Sequence, residues 1–65
     1  MKNFKGKTAV ITGAGSGFGL ELARLAAARG MNLVLCDVQQ MALDLAAEEM
    51  RMSGVQVLAQ RVVVA

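Results

Sequence analysis

The chain contains no histidine, proline, tyrosine or tryptophan, and a single cysteine, Cys36. One cysteine excludes an internal disulfide. Without a histidine to take its proton, Cys36 is also a poor candidate nucleophile. It ends the apolar run Leu33-Val34-Leu35, so a buried thiol in a reducing compartment is expected. Only two aromatic residues occur, Phe4 and Phe18. The interior must therefore be aliphatic, built from the Ala, Val, Leu and Met that dominate a hydrophobic content of 55%. Charge is scarce as well. A net charge of +2 is too small to point to nucleic acid, and Lys2, Lys5 and Lys7 read as the solvated start of a strand. No apolar run approaches the roughly 20 residues of a membrane helix. The stretch from Met1 to Lys7 lacks the apolar core of a signal peptide. Together these features predict a cytoplasmic protein that binds neither nucleic acid nor membrane. A length of 65 residues allows one small domain at most.

The most informative segment is Thr12-Gly13-Ala14-Gly15-Ser16-Gly17-Phe18-Gly19. It follows an apolar run, Thr8-Ala9-Val10-Ile11, and precedes a helical pattern that starts near Leu20. A strand feeding a glycine turn and then a helix is the local architecture of a dinucleotide phosphate site. Gly13 lets the chain leave the strand in a tight turn where φ is positive. Gly17 keeps bulk away from a pyrophosphate, and Gly19 lets the helix pack close to the strand. The free N–H groups and the dipole of the helix start favour the phosphate charge. The candidate cofactor-binding residues of this turn are Gly13, Gly15, Ser16, Gly17, Phe18 and Gly19. Their spacing fits G-x-x-x-G-x-G. The spacing G-x-G-x-x-G fails at Phe18 or Leu20, and no Gly-Lys pair completes a nucleotide-hydrolysing P-loop. A Gly/Ala/Ser turn without function is the competing reading. It is disfavoured because strand, helix and a later acid all fall in the expected places.

Hydrophobic patterning extends the unit. Residues 7–12 read as a first strand and 17–29 as a helix, with Leu22, Ala23, Ala26 and Ala27 on one face and Gly30 as its stop. Asn32 to Cys36 reads as a second strand covered on both faces. Residues 39–53 read as a second helix with Leu43, Ala46, Ala47 and Met50 on its apolar side, ended by Gly54. Val55 to about Val64 reads as a third strand. Connections of one to three residues and right-handed crossovers give a parallel sheet in order 3-2-1 with both helices on one face. The expected fold class is α/β. Residues 1–65 would form the amino-terminal βαβαβ half of a three-layer, Rossmann-type dinucleotide-binding domain.

Asp37 follows Gly19 by 18 positions, close to the interval of about 20 for a ribose-binding acid at the end of a second strand. Its carboxylate would accept from ribose hydroxyls and repel a 2′-phosphate. Ser16, Val38 and Gln39 offer no cation, so NAD is expected over NADP, with Val38 beside the nucleotide. The competing role for Asp37 is as N-cap of the second helix.

On these residues, with Lys5-Gly6-Lys7, the chain resembles the short-chain dehydrogenase/reductase family from about Phe4 to Gln60. The resemblance implies that the glycine turn and the acid hold NAD(P), in a protein that reduces carbonyls or oxidises alcohols by hydride transfer. The family's catalytic asparagine, serine and tyrosine–lysine pair have no counterpart here, so no catalytic residue is assigned. The family usually carries an aspartate near the end of the third strand, close to the adenine. Val63 stands at that place.

Half a doubly wound sheet would leave the first strand as a free edge and one face bare. The expected partners are therefore a dinucleotide, together with a carboxy-terminal half or a second copy of the chain. In a homodimer, two first strands would pair in parallel in order 3-2-1-1′-2′-3′. The alternative function is a non-enzymatic βαβαβ module that self-associates, with or without nucleotide. Flavin or another adenosine nucleotide also satisfies a turn that reads phosphate and ribose alone.

Overall fold

The computed structural model describes residues 4–63. Lys2 and Val64, read above as parts of the strand ends, lie outside them. Five elements follow one another: β1 (Thr8–Thr12), α1 (Gly17–Ala28), β2 (Asn32–Asp37), α2 (Gln40–Arg51) and β3 (Val57–Arg61). The three strands are parallel in order β1-β2-β3, with Thr8 opposite Asn32 and Leu33 opposite Val57. This is the expected βαβαβ half, supplying the sheet and one of the two helical layers.

Alternation along the strands decides which face is covered. Ile11, Leu33 and Leu35 point to the helices and are buried, with Ala9, Val57 and Ala59 packed against them. On the helices the matching surface is Ala23, Ala26 and Ala27 of α1 and Leu43, Ala46, Ala47 and Met50 of α2. Alanine at three core positions lets α1 lie close to the sheet. The intervening strand residues face the other way, where Val10 is 68% and Leu58 is 60% exposed. A bidentate ion pair from Arg24 to Glu49 joins the solvent sides of α1 and α2, at 2.7 Å and 3.1 Å.

The element boundaries differ from the sequence expectation where backbone pairing, not hydropathy, sets the limit. β3 pairs only from Val57 to Arg61, because Gln56 N–H donates to the Asn32 side chain at 3.1 Å and β2 ends at Asp37, so the apolar run from Val55 overstates it. The helices stop at Ala28 and Arg51, just before a glycine in the left-handed region, Gly30 at φ 77° and Gly54 at φ 85°. The loops at residues 29–31 and 38–39 have the expected one to three residues, whereas those at 13–16 and 52–56 are longer. Leu22, expected on the buried stripe, is exposed because the stripe centres on the alanines, and Leu20 packs there instead. Cys36 is half-buried, not buried, since it sits on the uncovered face of the sheet.

Gly19 fixes how closely α1 approaches β1. A Cβ on Gly19 would collide with the Gly13 carbonyl oxygen and lie 3.0 Å from that of Thr12. Gly19→Ala is therefore expected to lower stability by about 2 kcal/mol, read as a shift in the urea unfolding midpoint.

Candidate nucleotide-binding site

The site lies at the carboxyl ends of β1 and β2, where a parallel sheet with helices on one face leaves the strand ends open. Gly13, at φ 65°, turns the chain sharply out of β1. The next two residues are then tied onto the end of β2. Ala14 N–H donates to the Cys36 carbonyl at 3.0 Å, and Gly15 N–H donates to Oδ2 of Asp37 at 2.8 Å. Gly15 must be a glycine, because a Cβ there would lie 2.7 Å from the Ala42 Cβ and 2.8 Å from Asp37 Oδ2. The sequence reading placed Gly15 in the site without seeing this contact, which joins segments 22 positions apart.

Ser16 occupies the N-cap position of α1 in extended conformation, but its side chain does not cap the helix. No acidic residue stands in the first turn either. The positive end of α1 is thus not neutralised by its own capping residue or first-turn side chains. Gly17, at φ 57°, has open space where a Cβ would be. Phe18 is exposed beside it, at 79%. At the carboxyl ends of β1 and β2 lies a cleft of about 200 Å³ lined by Thr12, Gly13, Cys36, Asp37, Val38 and Val62.

Asp37 is the last residue of β2. Its Oδ1 accepts from the Gln39 N–H at 3.0 Å while Oδ2 holds Gly15. Those two N–H groups, Gln39 first, hold its carboxyl below the usual aspartate range, against an opposing effect of burial. Asp37 does not serve as N-cap of α2. That position is Gln39, so the aspartate supports the turn before the helix. Val38 is exposed on the rim, and Val63 is exposed beyond the end of β3.

Sequence reasoning missed one charged neighbour. Arg61 is the register partner of Asp37 on β3, and its Nε–H donates to the Val38 carbonyl at 3.2 Å. Only the strand register could have revealed it, since residues near Asp37 in sequence offer no cation.

The arrangement combines an uncapped helix start, a carboxylate held in fixed orientation, and a cleft with Val38 and Val62 in its lining. The sequence pattern of the short chain dehydrogenase family matches residues 7–65. The chain belongs to the short-chain dehydrogenase/reductase family. It is 53% identical over 45 residues to a galactitol 2-dehydrogenase (L-tagatose-forming) of Cereibacter sphaeroides, covering 69% of this chain and 18% of that protein. Among solved structures, a short-chain dehydrogenase/reductase of Burkholderia phymatum in complex with NAD superposes with a TM-score of 0.90 at 48% identity, covering 97% of this chain and 22% of that one. L-Sorbose reductase of Gluconobacter frateurii, complexed with NADPH and L-sorbose, superposes at 0.88 with 41% identity, covering 92% and 23%. The chain thus spans about a fifth of the length of these relatives, and it corresponds to their amino-terminal cofactor-binding segment. These relatives include one bound to NAD and one bound to NADPH. Among the described residues, no helix is long and apolar enough to cross a membrane.

The sign of the Asp37 shift gives a pH signature. A carboxyl depressed in the folded state adds stability that is complete above its unfolded value of about 3.9 and is lost as pH falls through the folded value. The stability difference between the wild-type chain and Asp37→Asn is therefore expected to be largest near neutrality and to shrink below about pH 4, as measured by urea unfolding across pH.

Proposed function

We propose that this chain is the NAD-binding segment of an oxidoreductase that moves hydride between a nicotinamide cofactor and an alcohol or carbonyl substrate. The observation that carries this reading is the Asp37 carboxylate, fixed beside the glycine turn by two main-chain N–H groups at 2.8 Å and 3.0 Å. Each oxygen keeps acceptor capacity for a ribose hydroxyl. The start of α1, from Gly17 to Gly19, receives the pyrophosphate, with Gly13, Gly15, Ser16 and Phe18 shaping its approach. Val38 and Val62 flank the adenine, and Val63 stands where family members carry a carboxylate, so adenine recognition here is mainly apolar.

NAD is preferred over NADP because the ionised Asp37 accepts from a 2′-hydroxyl and repels a 2′-phosphate. The bound cofactor supplies the hydride acceptor or donor. The chain's own residues bind and orient it. With no tyrosine in the sequence, proton transfer belongs to further protein.

The exposed Val10 and Leu58 face and the free edge of β1 support one further element of the proposal. That surface is covered by the remainder of a longer protein or, for the chain by itself, by a second copy paired along β1. A monomeric mass at high micromolar concentration in sedimentation would count against self-pairing.

An amide NMR titration with NAD and with NADP tests the cofactor proposal. Shifts at Gly13, Gly17, Gly19 and Asp37 are expected at lower concentrations of NAD than of NADP. Asp37→Ala is expected to weaken NAD at least about tenfold, the worth of one hydrogen bond to a charged group. Absence of shifts with either nucleotide would overturn it.

A further inference from the structure

We propose that Arg61 sets how sharply the site discriminates against a 2′-phosphorylated nucleotide, a role that rests on Asp37 being the ribose acceptor. Asp37 and Arg61 are partners on adjacent parallel strands, so their Cα atoms stand about one strand spacing apart, roughly 4.8 Å, and their side chains leave the sheet on the same face. The register is closed by the Val62 N–H, which donates to the Asp37 carbonyl at 2.9 Å. A carboxylate and a guanidinium are thereby delivered to the same end of the sheet by main-chain pairing alone.

The guanidinium is only lightly tethered. Its Nε–H reaches the Val38 carbonyl at 3.2 Å, on the exposed rim of the cleft. The two terminal nitrogens, which hold four of the five N–H donors, have no protein partner among the described residues. Asp37 is occupied differently: its two oxygens are held by Gly15 and Gln39. The cation is therefore held at Val38, the residue that follows the acid, with its terminal nitrogens unengaged by the described residues. A free ribose 2′-hydroxyl meets the carboxylate and gains nothing from Arg61. A 2′-phosphate meets the same carboxylate, but its charge is offset by a guanidinium whose planar fork matches phosphate oxygens. Arg61 narrows the preference for NAD that Asp37 creates, and the site accepts NADP as a weaker second cofactor.

Calorimetric titrations of the full chain with NAD and NADP, for wild type, Arg61→Gln and Arg61→Lys, test this. Arg61→Gln keeps an N–H donor and removes the charge. The ratio of Kd for NADP to Kd for NAD is expected to rise roughly fivefold in Arg61→Gln and to return most of the way in Arg61→Lys, with the difference fading at high salt. Equal weakening of both nucleotides, leaving the ratio unmoved, would overturn the proposal and leave Arg61 as a prop for the turn at Val38. A ratio that moves identically in Arg61→Lys would overturn it too, since charge would not be the cause. If wild type binds neither nucleotide, the cofactor proposal itself fails, and this one with it.

Discussion

The hydrogen bond from Gly15 N–H to the Asp37 carboxylate is the constraint on which the site depends. It closes a loop between two segments distant in sequence, the glycine turn after β1 and the acid that ends β2. The neighbouring bond from Ala14 N–H to the Cys36 carbonyl makes the attachment a two-point one, so the turn cannot pivot about either contact alone. The same aspartate accepts from Gln39 and so sets the direction in which the chain enters α2. Ala42 of α2 then packs against Gly15, where any side chain would force the two apart. Acid, turn and second helix thus form one unit held mainly by backbone donors. The carboxylate that would receive a ribose is oriented before any ligand arrives, which limits the ordering cost of binding.

Much of this was legible in the sequence, because glycine and period carry their own physics. Gly13, Gly17 and Gly19 sit where a positive φ or a close approach demands them. The alanine-rich stripes of both helices and the apolar strands fix the order of the elements. Asp37 could be chosen by its distance from the turn. What escaped depends on three-dimensional register. Leu22 and Cys36 are apolar residues in apolar runs, and nothing local says that one lies at the rim of a helix stripe and the other on the bare face of a sheet. Gly15 looks like any loop glycine until Ala42 and Asp37 are seen against it. Arg61 lies far along the chain in a segment that reads only as the end of a strand. Its relation to Asp37 exists through the β2–β3 pairing and in no other way.

The sheet is asymmetric, as half of a doubly wound fold requires. The strand residues are apolar on both sides, and the two helices cover only one of them, as the right-handed crossovers predict. The chain covers only 18% to 23% of the relatives named above. The uncovered row of Val10, Val34 and Leu58 is accordingly the surface with most to gain from additional protein. The fold of the covered side does not draw on that row. Its core is closed by α1 and α2 alone, with the exposed Arg24–Glu49 pair adding orientation more than stability.

The division of labour between backbone and side chain bears on how such a site changes over evolutionary time. The parts that fix geometry, Gly13, Gly15, Gly19 and the main chain at Ala14 and Gln39, leave almost no freedom of substitution. The parts that would face the distal nucleotide, Val38, Gln39 and Arg61, are exposed surface positions outside the buried cluster. Selection can therefore rewrite the charge seen by the adenosine end through exchanges that the interior never registers. On the proposed reading, the part of the cofactor preference that lies at the rim can drift or be engineered while the scaffold beneath it stays the same, whereas Asp37, which also ties down the turn, cannot be exchanged so freely.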